Sequence, residues 1–179
     1  MALYDFSKNQ KILLKEIKVE GLKNMNLEEF LKVAQIKPDA SFFIFELEKT
    51  ILSLISSGLF LDISYNISPL QEGYQIDFQL EENLPLASLK VIDGKMLDLS
   101  LLQEKLEEEG IVTGKVFSSL QLEKALDQFM MHNQSYGNFL YTLSFKEISK
   151  EEIEKLGGEF LFTKEEKEKE GVYALIHIH

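Results

Sequence analysis

Residues 17–21 read Ile-Lys-Val-Glu-Gly, and residues 89–94 read Leu-Lys-Val-Ile-Asp-Gly. Each stretch is a short run with β-branched residues that ends at a glycine, which is typical of a strand followed by a turn. A second match lies further along, because Leu-Glu-Lys at 47–49 recurs at 122–124. The matched landmarks are offset by about 72 and about 75 residues. The sequence therefore predicts two modules of similar length.

The first module reads as strand, helix, helix, strand, strand. Asn26 and Glu29 form a capping-box pattern at the start of the first helix, and Gly58 is placed to end the second. The strands carry apolar residues at every second position, so each has one apolar and one polar face. These patterns predict an α+β fold, with a three-stranded mixed sheet and both helices on one face. The predicted elements are strand 12–20, helix 27–34, helix 43–57, strand 61–67 and strand 74–80.

The second module repeats this order. Ser100 and Gln103 suggest a capping box for its first helix, which closes near Gly110, and Ser118 begins its second helix. Its last two strands are predicted at 139–145 and 172–178. The predicted organisation is an N-terminal extension at 1–11, a first module at 12–82 and a second module at 85–179.

The second module also contains an insertion at about 149–171. Ser149 and Glu152 indicate a short helix, Gly157-Gly158 ends it, and a charged run follows at 164–170. We interpret the segment as a long hairpin with an embedded helical turn and a solvated tip. A disordered charged loop is the alternative.

Composition excludes several classes of function. The formal net charge of −11 and the pI of about 4.8 disfavour nucleic acid as a partner, because the field of the protein repels phosphate. The chain has no cysteine, which rules out disulfides and thiolate nucleophiles. No apolar run approaches the roughly 20 residues that span a bilayer, and residues 1–10 show no secretion signal.

No catalytic constellation is visible. His177 and His179 lie on the same side of a predicted strand, but no third metal ligand is near them in sequence and His132 lies on a different element. The chain has no glycine-rich phosphate loop and no nucleophile elbow. We expect neither enzymatic activity nor a metal or other cofactor.

The chain resembles the POTRA (polypeptide-transport-associated) domain family. The matching stretches of the first module are 17–21, 54–63 with its Gly58-Leu59-Phe60 turn, and the strand that ends at Leu80-Glu81. In the second module, residues 85–94 resemble the start of a following repeat in BamA-type outer-membrane protein assembly factors. The stretch Tyr-Gly-Asn-Phe at 136–139 is similar to the aromatic and glycine turn of the family. Two departures are the length of the insertion and the end at His179, before the acidic residue that normally closes the strand.

The resemblance implies a periplasmic scaffold that receives outer-membrane β-barrel precursors. Its expected partners are unfolded precursors, accessory assembly lipoproteins and a C-terminal outer-membrane barrel of the same polypeptide. Two-partner secretion transporters and cell-division proteins also carry such domains. In the division case, Phe42, Phe43 and Phe45 are candidate anchors for a folded partner, although we expect them to be core residues.

The resemblance also places the strand after the second helix at an edge of each sheet. An edge strand has unpaired N–H and C=O groups that can add a strand from another chain. The alternative is a solvated polar face with no partner. The predicted polypeptide-binding residues are Leu61, Asp62, Ile63, Ser64, Tyr65, Asn66, Leu140, Thr142 and Ser144.

Overall fold

A computed structural model describes residues 10–135, 141–162 and 170–179 of the chain. The chain divides into two compact units, with the boundary between Glu82 and Asn83. Within the described ranges, no helix is long and apolar enough to cross a bilayer.

The first module is a mixed sheet with two helices against one face. Strands β1 and β4 are parallel, β3 pairs with β4 in the antiparallel direction, and the strand order is β2-β1-β4-β3. Asn26 and Glu29 form the predicted capping box, and Gly58 has the predicted left-handed conformation, with φ of 69°. The elements are β1 Lys11–Glu20, α1 Leu27–Ala34, β2 Ala40–Phe43, α2 Ile44–Ser56, β3 Phe60–Pro69 and β4 Tyr74–Glu82.

The prediction of three strands was wrong, because the sheet has a fourth. Strand β2 pairs in the antiparallel direction with residues 11–14 of β1 and runs directly into α2. Its sequence, Ala-Ser-Phe-Phe, is too short for a clear alternation. It is identifiable as a strand only through its pairing with β1.

The core of this module is built on aromatic contacts between the helices and the sheet. Phe30 of α1 and Phe78 of β4 are both fully buried, with ring centroids 5.2 Å apart in an edge-on arrangement. At the end of β4 the Glu82 side chain, only 8% exposed, accepts backbone hydrogen bonds from Lys23, Asn24 and Met25 at 2.9–3.0 Å. Glu82 therefore fixes the loop between β1 and α1.

The second module repeats the parallel pair and the antiparallel edge strand, with the order β6-β8-β5-β7. This agreement confirms the predicted α+β repeat. A single 3₁₀ turn at Gly94–Met96 follows the first strand. The elements are β5 Leu86–Ile92, α3 Leu99–Glu108, α4 Ser119–Ser135, β6 Leu143–Ile148, α5 Lys150–Lys155, β7 Glu159–Leu161 and β8 Val172–Ile178.

Two local predictions in this module were wrong. The side chain of Asp98, and not Ser100, caps α3 by accepting a hydrogen bond from the N–H of Leu101 at 3.0 Å. Both residues are good caps, and the sequence alone does not choose between neighbouring candidates. Strand β6 begins at Leu143, later than the predicted 139, and residues 136–140 lie outside the described part of the chain.

The strands on either side of the insertion, β6 and β8, pair in the antiparallel direction as in the predicted long hairpin, and the insertion adds one strand that was not predicted. Helix α5 begins at the predicted Ser149–Glu152 capping box, where the hydrogen bond from the Ser149 backbone lowers the pKa of the Glu152 carboxyl. Strand β7 then pairs with β5 at the edge opposite β6. The charged run falls largely at 163–169, which the structure does not describe.

Helices cover both faces of the second sheet, contrary to the prediction of one. Leu89 and Val91 point into the core beneath α3 and α4, so the alternate residue Lys90 points to the opposite face. There its ammonium group donates to the carbonyl oxygens of Ile153, at 3.0 Å, and Leu156, at the end of α5. Lys90 is only 5% exposed and therefore attaches the inserted helix to the sheet.

Candidate functional site

Strand β3 forms one edge of the first sheet. It pairs with β4 from Asp62 to Pro69, and among the described residues no strand pairs with its other side. The N–H of Leu70 donates to the carbonyl of Gly73 at 2.9 Å, so the backbone groups of Leu70 point towards β4. Backbone N–H and C=O groups alternate in direction along an antiparallel strand. Those of Pro69, and of every second residue before it, therefore point away from β4.

The outward-facing backbone groups of β3 are thus those of Ile63, Tyr65, Ile67 and Pro69. The Asp62 side chain accepts a hydrogen bond from the N–H of Ile63 at 3.0 Å, which occupies the first of these donors. Proline has no N–H, and such a residue suits an outward position on an edge strand. Among residues 10–135, 141–162 and 170–179, no partner occupies the other two outward N–H groups, those of Tyr65 and Ile67, so both can bond an added strand.

The side chains beside this edge include two exposed apolar groups. Leu61 is 62% exposed and Tyr65 is 43% exposed. The alternation predicted Leu61 on the core face. A β-bulge between Phe60 and Asp62 instead leaves Leu61 without a partner residue on β4, and Phe60 packs against the core. Ile63 and Ile67 pack against the core as the alternation predicted.

The polar residues predicted in β3 lie on the face of the sheet opposite the two helices. Ser64 pairs with Gln79 and Asn66 with Asp77, and all four line a shallow depression of about 290 Å³. Their side chains flank the edge, but the backbone of Ser64 and Asn66 faces β4. Ile67, one of the two residues with an outward donor, was missing from the predicted set. The prolyl residue at 69, two positions later, is the sequence signal that indicates it.

Strand β6 is the corresponding edge of the second sheet. Thr142 and His179 exchange backbone hydrogen bonds of 2.9 Å. The backbone groups of Thr142 therefore point towards the end of β8, and its N–H is already bonded. The N–H of Leu143 faces outward but donates to the sulfur of Met130 at 3.2 Å. The outward groups left on β6 are those of Phe145 and Glu147.

The other predicted residues of this edge contribute less. The Ser144 hydroxyl lies 2.7 Å from Nε2 of His179, on the polar face. Leu140 lies outside the described residues. Strand β6 thus has two outward N–H groups, as β3 has, but the strand is six residues long instead of ten.

The two remaining edges are obstructed. Strand β2 has four residues, and the Glu46 side chain accepts a hydrogen bond from the N–H of Phe43 at 2.7 Å. In the second module the remaining edge strand is β7, which is only three residues long; it covers residues 89–91 of β5, while residues 84–86 pair with residues 114–117. Such devices are the usual protection of sheet edges against unwanted pairing. Strand β3 also carries a bulge, Pro69 and the Asp62 contact, but at ten residues it is the longest of the described edge strands.

The histidine pair is placed as expected, on one side of β8. The rings of His177 and His179 stack with centroids 6.0 Å apart. In the described ranges, no group of three or more His, Asp or Glu side chains is arranged to hold a metal ion.

The chain is similar to known proteins in sequence and in fold. No protein-family model matches the chain. The outer membrane protein assembly factor BamA of Buchnera aphidicola subsp. Acyrthosiphon pisum (strain APS) is 28% identical over 109 residues, which is 61% of this chain and 17% of that protein. The match is longer than either compact unit, so it includes residues of both modules.

One solved structure shares the fold, and a second is similar over most of its length. The N-terminal domain of Omp85 from the thermophilic cyanobacterium Thermosynechococcus elongatus aligns with 95% of this chain and 63% of that chain, at a TM-score of 0.50 and 14% identity. POTRA1-2 of the periplasmic domain of Omp85 from Anabaena aligns with 94% of this chain and 96% of that chain, at a TM-score of 0.43 and 14% identity.

Both modules have a POTRA-like fold. Each has the parallel pair of strands, the antiparallel edge strand after the second helix, and two helices on the core face. The second POTRA-type module adds α5 and β7, and the first adds β2. The chain spans only 17% of the length of the curated relative.

Proposed function

We propose that these POTRA-type modules form part of a periplasmic scaffold that receives unfolded outer-membrane β-barrel precursors and assists their assembly. The observation that carries the proposal is the open edge of β3, with outward N–H groups at Tyr65 and Ile67 beside exposed Leu61. Strand β6 serves as a second, shorter edge. The similarity to BamA supports this role.

Strand addition suits a receptor for many clients. Main-chain hydrogen bonds supply the affinity, so the client sequence matters less than its ability to become extended. Barrel strands alternate apolar and polar residues. An added strand would place its apolar residues beside Tyr65 and its polar residues beside Ser64 and Asn66. In the full protein, we propose attachment to an outer-membrane barrel and contact with accessory lipoproteins, without catalysis and without nucleic acid.

Replacing Tyr65 with proline tests the backbone contribution at this edge. The substitution removes an outward N–H but leaves the hydrogen bonds between β3 and β4 in place, as Pro69 already does. Tyr65→Ala is the matched control, because it removes the same ring and keeps the N–H. In titrations with an alternating apolar and polar peptide, we expect Tyr65→Pro to bind about three- to tenfold more weakly than Tyr65→Ala. Equal affinities of the two variants would count against strand addition at β3.

Asp62 is expected to limit the length of the added strand. Asp62→Ala frees the N–H of Ile63, so one further ladder hydrogen bond can form. We expect the same peptide to bind about two- to fivefold more tightly to this variant. Asp62→Asn removes the charge and keeps an acceptor, so its affinity should stay near that of the unchanged chain. A tighter complex with both variants would instead indicate an effect of charge.

A further inference from the structure

Residues 63–69 of strand β3 carry no charged side chain. They read Ile-Ser-Tyr-Asn-Ile-Ser-Pro, in a chain of which 27% is charged. Charged side chains on an edge strand are a usual protection against pairing with another copy of the same chain. Strand β6 has this protection, because its outward residues Phe145 and Glu147 flank Lys146, and self-pairing there would oppose two lysines. At β3 no charge within residues 63–69 opposes self-pairing.

The other edge of the first sheet is not suited to such pairing. Strand β2 has four residues, and Glu46 already accepts the hydrogen bond from the N–H of Phe43. The sequence predicted core positions for Phe43 and Phe45, and for these two residues that was wrong. Phe43 is 38% exposed and Phe45 is 37% exposed, with ring centroids 5.5 Å apart, whereas Phe42 packs against the core. Strand β3 is therefore the edge of this sheet that is long enough to pair with a second copy.

An antiparallel pair of β3 strands centred on Asn66 uses every outward donor that is open. Two-fold symmetry about Asn66 places Tyr65 opposite Ile67 of the second copy, and Ile67 opposite Tyr65. Each of these pairs exchanges two hydrogen bonds between N–H and C=O groups. The outward N–H groups of Tyr65 and Ile67 in both copies are then all bonded.

The ends of this ladder also match. Ile63 of one copy lies opposite Pro69 of the other, because the two positions are equally far from Asn66. The N–H of Ile63 is already bonded to the Asp62 side chain, and proline has no N–H. The two positions without an open donor therefore face each other, and no N–H is left unpaired between the strands.

The side chains that would lie opposite each other are compatible. On the helix side of the sheet, Tyr65 meets Ile67 of the second copy, an aromatic and β-branched pair of the kind that stabilises sheets. On the opposite side, Ser64 meets Ser68, and Asn66 meets Asn66 of the second copy. Hydroxyl and amide groups both donate and accept hydrogen bonds, so these polar pairs are satisfied by each other.

We propose that two copies of this chain associate through β3, which joins their two four-stranded sheets into one of eight strands. One strand against one strand is a smaller contact than the standard interface of about 1,600 Å², so the dimer is weak and dissociates on dilution. The net charge of −11 on each copy opposes association, and rising salt screens this repulsion. Association does not depend on client binding, but the dimer hides the edge that the proposed function assigns to clients.

Single cysteines test the register, because the chain has no cysteine of its own. Directly opposite residues of a pair without hydrogen bonds have Cα atoms about 4.5 Å apart, which suits a disulfide. Asn66→Cys meets this condition in the dimer, whereas Ser64→Cys and Ser68→Cys each lie about 13 Å along the strand from their own copies. In a glutathione redox buffer, we expect at least about tenfold more covalent dimer with Asn66→Cys than with either other variant alone. A mixture of the Ser64→Cys and Ser68→Cys chains should cross-link as Asn66→Cys does.

Sedimentation of the 179-residue chain measures the association itself. Tyr65→Pro removes one donor from each copy, so the symmetric dimer loses two hydrogen bonds. We expect it to associate about ten- to a hundredfold more weakly than the control Tyr65→Ala, which keeps the N–H. The unchanged chain should associate more tightly as salt rises.

Three results would overturn the proposal: a monomer at every concentration and salt, equal cross-linking of the three cysteine variants, or equal association of Tyr65→Pro and Tyr65→Ala. These outcomes are separate from those of the proposed function, because cross-linking and sedimentation use no client. A chain that stays monomeric but binds a barrel-strand peptide at β3 would remove only the dimer. A chain that cross-links through Asn66→Cys but binds no such peptide would remove only the role in client binding.

Discussion

The Gly21→Ala variant is expected to unfold the first module with a free energy lower by about 3 kcal/mol or more. Gly21 has φ of +96°, a conformation that costs energy for any residue with a Cβ. A Cβ built there would lie 1.8 Å from the carbonyl oxygen of Leu80, an atom of the backbone of β4. The chain can relieve that clash only by separating the end of β1 from β4, where Glu82 fixes the following loop.

Gly110→Ala separates the two causes of this cost. Gly110 also has a positive φ, of +78°, but a Cβ at that position meets nothing within 4 Å. We therefore expect a loss of only about 1 kcal/mol in the second module. Urea unfolding followed through resolved amide signals of each module measures both losses. Similar losses for the two variants would show that the close approach to Leu80 is not the main cause.

The Lys90→Ala variant is expected to destabilise the second module by about 3 kcal/mol. It removes a buried ammonium that donates to two carbonyl groups at the end of α5 and lies 4.4 Å from the ring centroid of Phe160. Hydrogen bonds to charged groups contribute roughly 1.5–3 kcal/mol each, and the loss leaves those carbonyls without their donor. We expect the amides of α5 to exchange with solvent faster as well.

Two variants show whether the ammonium itself matters. Lys90→Met keeps most of the buried stem, so it should lose less stability than Lys90→Ala while α5 still exchanges faster. Lys95→Ala changes an exposed lysine of the same module and should alter stability by less than about 0.5 kcal/mol. Unchanged exchange in α5 for both Lys90 variants would contradict the role assigned to this side chain.

Features set by neighbouring residues were predictable from the sequence. The capping boxes at Asn26 and Ser149 depend on side chains three residues apart, and the structure has both. The alternation in β4 and β8 likewise identified buried residues such as Phe78 and Ile176. Such features need no knowledge of distant parts of the chain.

Features that depend on distant residues were missed. Strand β2 forms because it pairs with residues 11–14 of β1. Lys90 is buried because α5 packs on the face of β5 that carries this lysine, which the sequence pattern predicted to be exposed to solvent. Glu82 lies two residues after the predicted strand 74–80, and nothing in the neighbouring sequence indicates that its carboxylate accepts hydrogen bonds from residues nearly sixty positions earlier. In each case tertiary contact overrides a local pattern.

The candidate site was predictable in part. The position of β3 at an edge followed from the family resemblance, but which of its backbone groups face outward depends on the turn at Leu70 and Gly73. The polar side chains of Ser64 and Asn66 flank the edge, as predicted from the alternation, but the face that a side chain takes does not tell which backbone groups point away from β4. The occupation of the Ile63 donor by Asp62 also needs coordinates.

Hydrogen exchange at single amides in β3 tests the central claim most directly. The N–H groups of Ser64 and Asn66 already face β4, whereas those of Tyr65 and Ile67 face outward. With a barrel-strand peptide present, we predict that the amides of Tyr65 and Ile67 exchange at least about tenfold more slowly, while those of Ser64 and Asn66 change little. Slower exchange spread evenly over helices and strands, with no preference for these two amides, would contradict strand addition at this edge.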